Sequence, residues 1–432
     1  MATYKTPYYD DPGTFYDSNR YLWDTPANPR LGNKWGLTVT VGAADLDLRL
    51  IPVPVTVTHG RADIDTQPDA PTLAFTYLGA IPPGNVGDAV RMRQELAYIQ
   101  AVYDAATNYY DSDLHLWDHP GTLDPSTRFV GTITGMSARE ANGTVAEWDV
   151  RAVGGLARLG TISVSGHVRP EESDVARVQG IADAAGVPLT ILGGVGPTLV
   201  GVTLDADALS ALQDVCYSSA GLIWQDREGA VFYGTHDHRN ADPAVALPPD
   251  IVLDGVEWTQ ETGDIINRAI VKYGAGAVAT AEDSNSIAMP WGLKAADIAT
   301  LLASADDADM FANVIIARHA WPYWLTPGMM LPLDIFSPSD MAAVQEFDVS
   351  TPVFVPIPSD PATTPAPQAK WVVEGWSEEW REDGHWMQVA LTEFGRYGSQ
   401  GVRTWADAML NTWAQEAAGT WIDALTTLDD AT

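Results

Sequence analysis

From Trp35 onward the chain alternates apolar and polar residues one for one. Leu37, Val39 and Val41 alternate with Thr38, Thr40 and Gly42; Leu46, Leu48 and Leu50 alternate with Asp45, Asp47 and Arg49; Val53, Val55 and Val57 continue the pattern. A period of two puts every apolar side chain on one face of an extended strand, whereas a helix would scatter them around its circumference. These residues are therefore read as half-buried strands. Further strands are predicted at 73–78, 89–94, 128–136 and 145–153, separated by Gly and Pro. Together they predict an antiparallel β-barrel or sandwich over 34–165. Within it, Leu96, Ile99, Tyr103 and Ala106 recur at helical spacing and lead into a polar stretch ending at Pro120, so 95–120 is read as an insertion. Ahead of it, residues 1–33 are rich in Tyr, Asp, Asn and Pro without periodicity and read as an arm lying on something else.

After Pro170 the pattern turns helical. Pro170 is read as the first helical position, with Glu171 and Glu172 in the first turn, Val175, Val178, Ile181 and Ala182 on one face, and an end near Gly186. A second helix is predicted over 206–218. Cys216 lies on its apolar face beside Leu209, Leu212 and Val215 and is expected to be a buried thiol. Residues 221–234 read as a hairpin with Gly229 placed for positive φ, so 166–250 is expected to be a small α/β unit. Strand character returns at 252–258 and 269–273. A helix follows Ser304, with Asp306, Asp307 and Asp309 near its start and Phe311, Val314 and Ile315 inward, ending at Trp321-Pro322. The Pro-rich stretch 351–367 reads as a stiff loop, and 370–374 and 385–391 as closing strands. This gives a second β unit over 251–396 with a helical insertion at 276–325. The fold class expected is α+β, predominantly β.

The bulk composition excludes several classes of function. Asp and Glu number 57 against 24 Lys and Arg, a net charge of -33, which repels nucleic acid rather than gripping it. Hydrophobic residues at 46% against 19% charged suit a packed protein rather than a disordered one. A single cysteine allows neither a disulfide framework within the chain nor a Cys-based zinc cluster. The first residues lack a basic-then-apolar leader, and no run of about 18 apolar residues occurs, so the expectation is a soluble chain made without export or a membrane-spanning segment.

Reactive constellations are incomplete. His115 and His119 stand four apart among Asp111, Asp113 and Asp118, but Leu116 sits where a zinc hydrolase needs a glutamate and Pro120 ends any helix. His236 and His238 alternate on one strand side next to a polar turn. The Gly-rich run 193–197 is followed by Thr198-Leu199 rather than the Lys-Ser or Lys-Thr that a phosphate loop requires. Acidic pairs such as Glu378-Glu379 and Asp306-Asp307 read as surface charge. Trp371, Trp376, Trp380 and Trp386 could stack on sugars, but the alternating Val372, Val389 and Leu391 make core packing the favoured role. No catalytic, metal or cofactor site is assigned. At the end of the chain, Trp405, Trp413 and Trp421 repeat every eight residues. Eight is not a helical face repeat, because each step rotates by about 80°. Such a tail, 397–432, docks either on a neighbouring protein, which makes these three tryptophans the partner-binding candidates, or back on its own chain.

In their order along the chain, several segments resemble the phage tail-tip and baseplate hub family: Val55 to Arg61; Phe129 to Gly135 with Trp148 to Val153; Leu209 to Gly221 with Asp226 and Gly229; Asp264 to Tyr273; and Val372 to Trp376 with Trp386 and Leu391. The likeness spans about 35–395. It implies two tail-tube-like antiparallel β-barrels per chain, a homotrimer that presents six barrels to a sixfold ring, and a wall of the DNA channel. It further implies a non-enzymatic minor tail protein of the virion tail tip, assembled in the host cytoplasm. The partners implied are a distal tail ring or tail tube protein, other tail-tip proteins or fibres, and a tape-measure protein. The insertion at 95–120 and the tryptophan tail depart from that pattern. A receptor- or carbohydrate-binding tail protein is the main alternative, and a cell-wall hydrolase a third.

Overall fold

The structure, a computed structural model, describes residues 36–61, 66–94, 126–140, 146–236, 238, 245–246, 259–260, 262–322, 324–336, 344, 347–355 and 370–393. The arm, the 95–120 insertion, the strand expected at 252–258, most of the Pro-rich loop and the tryptophan tail lie outside the described residues.

Seven strands come first: β1 (Leu37–Val41), β2 (Ala44–Asp45), β3 (Val55–Gly60), β4 (Asp69–Gly79), β5 (Ala89–Gln94), β6 (Ser126–Glu140) and β7 (Ala146–Val153). Alternation decides their facing: Leu37, Val39 and Val41 are buried while Thr38 and Thr40 are not. The expected strand through Leu46, Leu48 and Leu50 is instead a short 3-10 turn at Leu48–Leu50. The Asp47 carboxylate accepts from the Arg49 amide at 3.0 Å and so caps a turn that the alternating pattern did not reveal.

The middle of the chain holds α1 (Leu156–Leu159), β8 (Val168–Arg169), β9 (Glu172–Ser173), α2 (Asp174–Ala185), β10 (Leu189–Leu192), β11 (Thr198–Leu199), β12 (Val202–Thr203), α3 (Ala208–Ser219), β13 (Leu222–Gln225) and β14 (Val231–Gly234). The first long helix starts later than Pro170. Ser173 is its N-cap, accepting from the Ala176 amide at 3.2 Å, while Glu172 is held in β9 and paired to Arg169 and Arg177. Gly186 ends it in the left-handed conformation at φ 65°. Asp207 caps α3, and Cys216 is fully buried on its inner face.

Next come β15 (Val245–Ala246), β16 (Thr259–Gln260), β17 (Arg268–Tyr273), β18 (Ala277–Glu282), α4 (Ser284–Ile287), β19 (Ala295–Ala299), α5 (Ala305–His319), β20 (Trp324–Pro332), β21 (Pro352–Phe354), β22 (Lys370–Trp380) and β23 (His385–Glu393). Ser304 caps α5, accepting from the Asp307 amide at 3.1 Å. The 276–325 region therefore supplies two strands as well as helices.

At 45% strand and 21% helix, the described residues are predominantly β. Its main sheet has thirteen strands in the order β16-β20-β23-β22-β3-β4-β7-β6-β5-β1-β2, with β15 and β21 branching from β22. No closed barrel is present among the described residues. The first and last β segments are continuous because β22 pairs antiparallel with β3, from Trp380↔Val55 to Gly375↔Gly60.

Three hydrophobic cores lie around this sheet. One is made by β1 and β3 to β7 and includes Trp380 of β22. Another packs Met329, Leu331, Phe347, Trp371, Trp376 and Val389 around Leu222 and Trp224 of the middle hairpin. The third joins α2 and α3 to Val271, Ile298, Phe311 and Ala312. Each fully buried large apolar side chain contributes roughly 1.5–3 kcal/mol. Trp380 and Trp224 thus fasten one unit to the next.

Candidate functional site

The feature that sets this fold apart from a plain β stack is the seam where β3 meets β22. The crossing is close: a Cβ on Gly60 would lie 2.3 Å from the Glu374 carbonyl, and one on Gly375 would lie 2.5 Å from the His59 carbonyl. Gly60 also has φ +78°, which only glycine adopts without strain. Register shifts beside both glycines turn charged side chains inward.

Two ion pairs are sealed in the seam. Arg61 Nε donates to Glu374 Oε2 at 2.6 Å, with both side chains at most 2% exposed. Arg128 of β6 donates through Nε to Glu378 Oε2 at 3.0 Å and through Nη2 to Oε1, with both side chains at most 1% exposed. Arg227, from the turn between β13 and β14, reaches to 3.9 Å of the same Glu378 carboxylate and lies 4.5 Å over the Trp376 ring. Burial and the neighbouring Arg227 charge hold the Arg128 guanidinium well below its ordinary value.

Two histidines complete the cluster, both neutral. Burial, then the Arg227 charge, drives His59 down to about 3, and burial with Arg128 drives His385 well below its ordinary value. His59 Nε2 therefore carries the proton and donates to the Arg128 carbonyl at 3.0 Å, leaving Nδ1 without a partner among the described residues. His59 stacks on Trp376 at 4.8 Å and His385 on Trp380 at 4.5 Å. Over the seam, a shallow cleft of about 360 Å³ is lined by His59, Gly60, Arg61, Gly375 and Trp376 together with Thr58, Thr72, Ser377 and Gln388.

The middle unit docks at the same place. Gln225 donates to the Val130 carbonyl at 3.2 Å and accepts from the Leu156 amide at 2.8 Å, bridging β6, α1 and β13. Trp224 Nε1 points at Asp348 at 3.4 Å, a carboxyl raised to about 6 by burial. Arg227 and Asp348 thereby tie the middle unit to the closing β segment. Among the described residues this arrangement is a joint whose opposite charges are paired and whose histidine rings are stacked on tryptophans.

The candidates raised from the sequence fall out as follows. Glu378 is a correction, since it is a buried ion-pair partner rather than surface charge, while its neighbour Glu379 pairs with Arg381 on the outer face. The Gly-rich loop closes on a carboxylate, because the Gly196 amide donates to Asp174 at 2.9 Å and a Cβ there would meet that carboxyl at 2.4 Å. An anion would be repelled from it. Asp307 accepts from the Thr198 amide at 3.1 Å and braces the end of that loop. His236 Nδ1 lies 3.2 Å from Arg318 and His238 stacks on Trp224, so the two rings are engaged separately. Asp111, Asp113, His115, Asp118, His119, Trp405, Trp413 and Trp421 lie outside the described residues. Among the described residues no group of three or more His, Cys, Asp or Glu is arranged to hold a metal, and no helix is long and apolar enough to cross a membrane.

The seam residues Arg61, Arg128, Glu374 and Arg227 had no sequence signal of their own. Glu378 had one: it shares the inward phase of Trp376 and Trp380 on β22.

Compared with solved structures, the chain aligns over 84% of its length with 98% of the 43 kDa tail protein of prophage MuSo2 from Shewanella oneidensis, at TM-score 0.57 and 10% identity. It aligns equally far with 98% of a tail protein from Neisseria meningitidis MC58, at TM-score 0.58 and 13% identity. The fold is that of phage tail proteins. A third tail-protein structure, prophage gp18 from Listeria monocytogenes EGD-e, aligns over 83% of this chain and 95% of its own at TM-score 0.50 and 7% identity. No family model matches the sequence, and no curated protein matches it. At such identities what is shared is the tail-protein fold.

Proposed function

We propose that this chain is a structural, non-enzymatic subunit of a phage tail: a minor tail protein that forms the hub at the tail tip of the virion. The observation that carries the reading is the tail-protein fold over nearly the whole chain, with its two β segments locked by the buried seam into one rigid body. A subunit that transmits load between a tube and a tip needs such a joint more than it needs a reactive cleft. In this reading 34–165 and 251–396 are two tail-tube-like barrel modules, 166–250 is the α/β unit between them, and 1–33 is an arm. Three copies present six modules to a sixfold tail tube or distal tail ring, adapt it to a threefold tip, and line the DNA channel. Tail-tip proteins, fibres or a tape-measure protein attach to the remaining surfaces, with Trp405, Trp413 and Trp421 binding one of these neighbours. Assembly takes place in the host cytoplasm.

The carbohydrate-binding alternative finds less support. Trp371 and Trp380 are fully buried, and Trp376 is 4% exposed and stacked on His59, so three of the four clustered rings have no open face for a sugar.

Native mass spectrometry of the full chain mixed with the tail-tube protein of the same genome tests the proposal. Three copies bound to a ring of six are expected. Failure to bind any tube or ring protein of that tail refutes the hub assignment. Replacing Trp405, Trp413 and Trp421 by Ala should remove one neighbour from assembled particles while this ring complex still forms; unchanged particle composition would refute the role of the repeat.

A further inference from the structure

Among the described residues the sheet β18-β17-β19 ends in two unpaired edges. Among the described residues β18 pairs only with β17, antiparallel from Arg268↔Glu282 to Tyr273↔Ala277. β19 also pairs only with β17, parallel from Arg268↔Ala295 to Lys272↔Ala299. One face of the sheet is covered, since Ala279, Val271 and Ile298 share a core with Phe311 and Ala312 of α5. The edges carry no proline and no bulge, two of the devices against strand pairing, and one exposed charge each, Glu282 and Asp297. The main sheet is protected differently: its outermost strands β2 and β16 are two residues long, and β20 beside β16 is interrupted by Pro327 and Pro332. Flanking the bare edges, Val278 and Leu293 are 52% and 49% exposed. In one molecule, then, the long sheet has blunted ends and the short sheet does not.

We propose that copies of this chain join head to tail by antiparallel pairing of β18 in one copy with β19 in the next. The choice of a second copy as occupant rests on the tail-subunit reading and on three features of the edges. First, β18 and β19 flank β17 in opposite directions, so rotating a copy about an axis along the strands brings β19 antiparallel to the β18 of its neighbour. Second, the edges match in length at six and five residues. Third, continuing the register already present sets Ala299 opposite Val278, Asp297 opposite Thr280, Ala295 opposite Glu282, and Lys294 opposite Asp283. The exposed Lys294 is thereby placed opposite Asp283, a pairing of opposite charge. Contacts between different patches close into a ring when the rotation closes.

The test is a Val278→Cys/Ala299→Cys double variant of the full chain, oxidised in solution. The native Cys216 is buried and gives no background. Within one copy the two positions sit on either side of Lys272, two strand spacings or roughly 10 Å apart, beyond the ~7 Å that a disulfide spans. Covalent multimers that stop at the ring size are expected, with no cross-linking in either single variant. Cross-linking of Val278→Cys alone would mean that β18 pairs with itself, and overturns the proposal. In parallel, Val278→Lys/Thr280→Lys should weaken self-association at least tenfold in light scattering at unchanged melting temperature. An oligomer that survives these lysines and does not cross-link overturns the edge pairing and leaves the tail-subunit reading standing. A chain monomeric at every concentration overturns the pairing as well. Cross-linked rings that fail to bind any tube or ring protein would uphold the pairing and refute the hub.

Discussion

Removing the guanidinium of Arg128 tests the seam most directly. In Arg128→Met the Glu378 carboxylate stays buried, with Arg227 at 3.9 Å and the neutral His385 at 3.4 Å as its remaining polar neighbours among the described residues. Breaking a buried ion pair by deleting one partner costs about 3–5 kcal/mol, because the other charge is left without compensation. Arg227 offsets part of that loss, which sets the expectation near the lower end, at about 3 kcal/mol. Arg128→Met/Glu378→Leu replaces both charges with apolar groups of similar volume and should recover most of it, to within about 1 kcal/mol of the wild type. The cycle therefore predicts a coupling of about 2 kcal/mol or more. Urea unfolding followed by tryptophan fluorescence is the assay, since Trp376 and Trp380 stack on the two histidines of the same cluster. A single variant that loses under 1 kcal/mol, or a double variant as unstable as the single, would refute the claim that this pair is desolvated and holds the β segments together.

Acid should weaken the protein through His59. Its folded value of about 3 lies below the unfolded one near 6.5, so its contribution is complete above pH 6.5 and falls as pH drops toward 3, costing about 2 kcal/mol by pH 5. Asp348, raised to about 6, acts with the opposite sign, gaining stability as pH falls from 6 toward 4; melting curves of wild type, His59→Gln and Asp348→Asn from pH 7 to 5 separate the two, and a His59→Gln slope equal to wild type would contradict the assignment. Gly60→Ala forces a Cβ to within 2.3 Å of the Glu374 carbonyl at a φ of +78°, so it should cost more than 3 kcal/mol or abolish soluble expression, measured by yield and limited proteolysis. Ser173→Ala removes the N-cap of α2 and should cost about 1 kcal/mol by thermal unfolding, with Ser173→Thr restoring most of it.

What could be read from the sequence was what neighbouring residues decide. The strand at Ala89–Gln94 has the predicted limits, the hairpin around Gly229 has its positive φ of +92°, and the helix after Ser304 begins at that cap. Misreadings arose where a side chain bonded its own backbone: Asp47 made a turn of an alternating run, and Ser173 outcompeted Pro170 as a helix start. The seam was illegible for a different reason. Arg61 and Glu374 stand 313 residues apart and Arg128 and Glu378 stand 250 apart, and no local pattern announces such a partner. Glu378 was the exception, since its phase on β22 placed it with two buried tryptophans.

The pairing of β22 with β3 also orders events during synthesis. Trp380 fills the core of β1 and β3 to β7, yet more than three hundred residues separate it from β3, so that core stays incomplete while most of the polypeptide is still being translated. A ribosome that stalls before residue 380 releases a chain with an unfilled interior and an unpaired strand. Such a fragment exposes apolar surface that only the last strands cover, which makes it prone to aggregation until synthesis is complete.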